Sequence, residues 1–188
     1  MSNITDHSHF VRSIALPSLD TTGPEHSLLE DYITQYETEY LQRIFGQTFY
    51  TQFIDGIDSL NAIYTDIRDG KEYTDIFGRV QKWDGFVIGT NPIANYVFCK
   101  YVRDESISLR GVGATVSAVE NGTRVSPQFK LLPAWNAMVK WNKKLHDFLY
   151  ANMETYPDYV GLVYPPDYAS EYLMDNQLLF KYQNSFGI

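Results

Sequence analysis

Leu29, Tyr32, Ile33, Tyr36, Tyr40, Leu41, Ile44 and Phe45 recur at steps of three and four residues. That spacing lays apolar side chains along one face of an α-helix. Thr22-Gly23-Pro24-Glu25 precedes the stripe and predicts its start, with proline at the first helical position and an acid in the first turn. Gly46 ends the stripe, and Phe49, Phe53, Ile54, Ile57 and Leu60 begin another. Two helices joined at one glycine are expected to fold back or to meet at an angle. The run Ile93 to Val102 after Asn91-Pro92 is apolar almost all round, which predicts a buried central helix. A last stripe takes Trp135, Met138, Val139, Asn142, Leu145, Leu149 and Met153. Ser126-Pro127 offers an earlier start, but Leu132-Pro133 interrupts it, so the helix is expected from about Ala134.

Between these helices the pattern changes. In residues 64–86, Asp69-Gly70 is a turn signal, and Lys71 to Asp75 is expected to pair with Arg79 to Trp83 across Ile76-Phe77-Gly78, because a three-residue loop ending in glycine suits a bulged hairpin. Residues 105–126 hold Gly111, Gly113 and Gly122. Asn121-Gly122 is a tight-turn dipeptide between Val116 to Glu120 and Thr123 to Val125, which reads as a projecting hairpin or a long functional loop. Residues 1–22 read as an irregular arm. Pro157, Pro165 and Pro166 break the chain after the last helix, a short helix is possible at Ala169 to Met174, and Leu178 to Ile188 is apolar and aromatic to its final residue. The expected organisation is a mainly α bundle of about four helices over 23–156, with extensions at 64–86 and 105–126 and a docking tail at 157–188.

Composition narrows the function classes. The net charge of −8 argues against tight binding of the DNA backbone, which requires a basic patch. Lys140, Lys143 and Lys144 are expected to face water. No apolar run of membrane-spanning length occurs, the first residues lack the pattern of a secretory signal, and the sequons at Asn3 and Asn121 are read as chance. The one cysteine, Cys99, sits in the apolar run and reads as a small core residue. Fifteen tyrosines and eleven phenylalanines exceed what core filling alone suggests and tilt the reading toward a binding surface.

Sites for chemistry are sparse. No Walker, His-Glu-x-x-His, Gly-x-Ser-x-Gly or Cys-x-x-Cys pattern is present. Gly111-Val112-Gly113 lacks the rest of a dinucleotide fingerprint, and Asp66 to Gly70 lacks the oxygen ligands of a calcium loop. His7-Ser8-His9 offers only two of the four ligands of a closed metal site, and His26 and His146 read as surface residues. No cofactor and no metal is expected. Partner contacts are expected from Phe180, Tyr182, Phe186 and Ile188, and next from Val112, Val116, Asn121, Gly122 and Arg124, since interface anchors are typically aromatic residues and arginine. Docking of the tail on its own bundle is the plain alternative.

Taken together, Leu29 to Ile33, Glu37 to Gly46, Lys82-Trp83-Asp84-Gly85-Phe86, Asn91 to Phe98 with Tyr101-Val102-Arg103-Asp104, Val119-Glu120-Asn121, Val125-Ser126-Pro127, Ala134 to Val139 and Asn184-Ser185-Phe186-Gly187-Ile188 resemble the head-to-tail connector (adaptor) proteins of tailed bacteriophages, in the form found in phages and prophages of Bacteroidetes hosts, the crAss-like phages included. The resemblance spans roughly residues 25–188; the tail after Pro157 is longer than the family's pattern. It implies a virion protein made in the host cytoplasm, without enzymatic activity, that forms a ring, twelve-fold by expectation, under the portal at the capsid–tail junction. The ring would offer a docking face to the next neck or tail protein. An acidic lumen would let genomic DNA pass without specific binding. A small helical enzyme whose site forms only on folding, and a nucleic-acid-binding module, remain the other readings.

Overall fold

The computed structural model of the chain describes residues 3–16, 24–105, 108–110, 113–115 and 128–160. It is mainly helical. The long α1 (Pro24–Asp58) and short α2 (Ala62–Asp69) precede hairpin β1 (Lys71–Thr74) and β2 (Val80–Trp83). After them come α3 (Pro92–Glu105), hairpin β3 (Ser108–Arg110) and β4 (Gly113–Thr115), and α4 (Gln128–Ala151).

Pro24 opens α1 with Glu25 in its first turn, where fixed φ and negative charge both favour a helix start. Gly46 breaks the helical path with φ 73° and ψ 162°. A Cβ there would touch nothing, so conformation and not space demands glycine. Leu29, Ile33, Tyr40, Leu41, Ile44 and Phe45 before the kink, and Phe49 and Phe53 after it, are buried. Leu60 departs from expectation. The helix ends at Asp58, Leu60 takes φ 56° in the turn beyond it, and its side chain is exposed.

α3 is the central helix and packs against both α1 and α4. Every residue from Pro92 to Cys99 is buried. Asn91, itself buried, accepts the Ala94 N–H at 2.7 Å and so caps the helix. Burial pushes the Cys99 thiol up to about 12, which suits a core residue and not a nucleophile.

α4 begins at Gln128, at the earlier start that Ser126-Pro127 offered and not at Ala134, and it runs through Pro133. Proline in the second turn removes one helical hydrogen bond, and burial of Leu131, Ala134 and Trp135 against the core offsets it. At the other end Met153 lies beyond the last turn and is half exposed, so it does not continue the stripe. Tyr156 and Tyr159 occupy the core in its place.

The first hairpin has the expected register, Lys71 opposite Trp83 and Thr74 opposite Val80. The helix α2 before it was not anticipated; Asn61 caps it by accepting the Ile63 N–H at 3.1 Å. The second hairpin pairs Arg110 with Gly113, earlier in the chain than the Asn121-Gly122 turn. That turn, the possible helix at Ala169 to Met174 and the apolar segment Leu178 to Ile188 lie outside the described residues.

The N-terminal segment has only two single 3-10 turns, at His7–His9 and Arg12–Ile14, yet Thr5, His9, Phe10 and Ile14 are buried. Glu37 of α1 holds it down. Its two carboxylate oxygens accept the N–H groups of Ile4 and Thr5, each at 2.9 Å.

Candidate functional site

The most exposed apolar cluster stands on the first hairpin. Ile76, Phe77 and Val80 are 67%, 75% and 74% exposed, whereas at the base of the hairpin Trp83 is fully buried. Its indole N–H donates to the Ile67 carbonyl at 2.7 Å, and its ring meets Phe86, Trp141 and Phe148. The Phe86 N–H donates to the Arg68 carbonyl at 2.6 Å. At Gly85 a Cβ would lie 2.5 Å from that same carbonyl oxygen, so the end of α2 and the exit of β2 meet backbone to backbone only because no side chain intervenes.

The turn is equally determined. Asp75 accepts the N–H groups of Phe77 and Arg79, both at 2.9 Å, and the Arg79 Nε at 2.8 Å. Burial pushes the Asp75 carboxyl up, but the Arg79 backbone N–H and guanidinium with the Phe77 N–H outweigh it and leave it below the ordinary carboxylate range. The Arg79 guanidinium also lies 5.1 Å from the Phe77 ring centre, close enough for a cation–π contact. Thus the apolar tip is presented by a rigid element.

Between this hairpin and the end of α4 lies a cleft of about 490 Å³. Its charged lining is balanced: Asp75, Asp84 and Asp147 against Arg79, Lys82 and Lys144. Lys144 reaches Asp84 at 3.3 Å, while Lys140 and Lys143 are exposed as expected. The cleft holds no convergent acid, base and nucleophile among the described residues.

The tyrosines are used differently from expectation. Tyr40, Tyr96, Tyr156 and Tyr159 are buried, and Tyr32, Tyr36, Tyr64, Tyr73 and Tyr101 pack partly buried against the core. Each buried hydroxyl has a partner: Asn142 for Tyr40, Glu39 for Tyr96, the Ile63 carbonyl for Tyr156 and His146 for Tyr159. A phenol that finds such a partner fills a core as well as phenylalanine does, so the tyrosine count does not by itself mark a surface. The contact with Tyr159, 3.2 Å from its Nδ1, also draws His146 inward from the expected surface position.

A second polar cluster lies between α1 and α3. Lys100 Nζ is 5.1 Å from the ring centres of both Tyr36 and Tyr96 and 3.7 Å from Glu39. Burial lowers its pKa, and Glu39 partly restores it. Burial and the neighbouring Asp104 carboxylate push Tyr32 up to about 12. These groups neutralise one another across a helix–helix contact.

His7 and His9, set aside as two ligands short of a closed metal site, do not come together. His9 turns inward, its Nδ1 3.1 Å from the Asp6 N–H. His7 turns instead to His26 and Glu30 on α1, and His26 is largely covered, not on the surface. These three are the described residues able to hold a metal together.

The predicted contact residues Phe180, Tyr182, Phe186, Ile188, Val112, Val116, Asn121, Gly122 and Arg124 all lie outside the described residues. The exposed hairpin tip was not among the expected contact residues. Its signal was present in Ile76-Phe77, since two large apolar residues inside a turn have no core to fill. No helix among the described residues is long and apolar enough to cross a membrane. Comparison with protein-family models, with curated proteins and with solved structures found no match to this chain.

Proposed function

We propose that this chain is a structural subunit that binds protein chains, its own copies first, and serves as a ring-forming head-to-tail connector beneath a phage portal. The observation that carries the reading is the hairpin tip: Ile76, Phe77 and Val80 exposed on an element whose base and turn are both locked. Apolar side chains held rigidly in water lose little further entropy on being covered. The occupant is a second copy. The net charge of −8 makes whole chains repel, but the cleft beside the tip is charge-balanced, so copies can approach there. The same balance disfavours a nucleic-acid backbone, and the pairing of Asp75 with Arg79 and of Asp84 with Lys144 disfavours an enzyme site. The apolar segment that ends at Ile188 supplies a second contact, to the portal or to a neighbour.

The test is light scattering after size-exclusion chromatography, on the chain alone and mixed with a candidate portal. The expected result is a multimer in at least one arm, lost in Ile76→Ser/Phe77→Ser/Val80→Ser while the helical circular dichroism is kept. A monomer in both arms, or a variant that assembles as well as the parent, sinks the proposal.

A further inference from the structure

His26 and Glu30 are four residues apart on the first turns of α1, and so share one face of the helix. His7 comes to that face from the N-terminal segment. One oxygen, Glu30 Oε1, lies 3.6 Å from His7 Nδ1 and 3.9 Å from His26 Nε2. Both separations are too long for a hydrogen bond. All three donor atoms lie within 4.8 Å of one another. Two imidazoles and a carboxylate thus converge without bonding one another. His26 Nε2 is sealed from solvent and has no hydrogen-bond partner among the described residues, an arrangement that protein interiors avoid unless something else satisfies the atom.

We infer that His7, His26 and Glu30 form a site for one divalent transition-metal ion of the zinc type. Bonds of about 2.0–2.1 Å in a tetrahedral set place ligand atoms roughly 3.3–3.4 Å apart, a contraction of a few tenths of an ångström from the His–Glu spacings seen here. Two nitrogens and one carboxylate oxygen suit zinc and not the all-oxygen preference of magnesium or calcium. His7 and Glu30 are partly exposed, with 42% and 36% of their side-chain surface open, so water can supply the fourth ligand. The ion has a structural consequence. His7 belongs to the segment that Glu37 grips at Ile4 and Thr5, and Asn3 Nδ2 donates to Thr34 Oγ1 at 3.0 Å. A metal at His7 adds a clamp two residues beyond that grip and ties the strap to the start of α1.

The experiment uses the full chain, freed of metal by a chelator. Zinc is titrated in competition with a chromophoric chelator, cobalt(II) is titrated by visible absorption, and hydrogen exchange of residues 3–9 is followed with and without zinc. The expected result is one ion per chain, intense cobalt bands of low coordination number, and slower exchange of residues 3–9 with zinc. His7→Ala, His26→Ala and Glu30→Gln should each weaken zinc binding by at least about tenfold, while His146→Ala leaves it unchanged. Glu30→Gln keeps size and shape, and circular dichroism verifies the fold of each variant. Undiminished binding in all three variants, loss only in His146→Ala, or equal uptake of magnesium overturns the site.

Discussion

Two appendages leave the helical core, and they solve opposite problems. The N-terminal segment has almost no regular structure, yet it sends Thr5, His9, Phe10 and Ile14 into the core, and its backbone is held bond by bond: Glu37 takes the N–H groups of Ile4 and Thr5, and Asn91 Nδ2 donates to Thr5 Oγ1 at 3.1 Å. The β1–β2 hairpin is regular and self-sufficient in hydrogen bonds, yet its apolar tip faces water. Regularity and burial are therefore separate properties here. An irregular strap can belong to the core if a buried side chain replaces its missing ladder. A regular hairpin can belong to the surface if only its base is packed. The strap is tied into the bundle, and under the proposed function the hairpin is the part that meets a neighbour.

The largest expected effect comes from removing the base of the hairpin. Trp83→Ala deletes the indole bond to Ile67 and the ring contacts with Phe86, Trp141 and Phe148, and should cost about 3–5 kcal/mol in urea denaturation. A loss near zero would mean that the hairpin is not welded to the core at all. Next is the strap. Glu37→Gln keeps the shape but has one carbonyl oxygen where two N–H donors need acceptors, so one bond is lost and a donor faces a donor. The expected cost is about 1–3 kcal/mol, with faster hydrogen exchange in residues 3–16. Equal stability of parent and variant would show that the strap is not held by this carboxylate.

The same residue carries a pH signature. Burial raises the Glu37 pKa above its ordinary 4.5, against the lowering effect of the Ile4 and Thr5 N–H groups and of nearby His9. A folded-state pKa above the unfolded one gives a contribution that is complete below about 4.5 and is lost as pH rises through the folded value. Relative to Glu37→Gln, the parent should therefore gain stability as pH falls from neutral toward 4.5. A difference that is flat, or that shrinks on acidification, contradicts the burial of this carboxyl. Smallest in stability is the tip. Phe77→Ser should change the unfolding free energy by less than about 0.5 kcal/mol while weakening self-association in light scattering. A large loss of stability would place Phe77 in the fold and not at an interface.

Much of this architecture is legible along the chain because its signals are local. Pro24 and Pro92 mark true helix starts, Gly46 marks a true kink, and Ile76-Phe77-Gly78 marks a true hairpin loop. The errors share one cause. Pro133 was expected to disturb a helix begun at Ser126-Pro127, but tertiary burial of Leu131, Ala134 and Trp135 carries the helix across it. Leu60 and Met153 continue their stripes on paper but fall past the helix ends. The tyrosine count tilted the reading toward a binding surface, although Tyr32, Tyr36, Tyr40 and Tyr96 already stood on apolar helix faces, because a count says nothing about whether a partner awaits each hydroxyl.

By itself, the order of residues determined the helices α1, α3 and α4, the apolar face of each, and where α1 and α3 begin, because periodicity and end signals act over one or two turns. Only the tertiary structure decided that Glu37 would be enclosed by a segment more than thirty residues away, that His7 would meet His26 and Glu30, and that the hairpin tip would find no cover among the described residues. Such pairings depend on which surfaces meet in space, and a local pattern does not encode the partner.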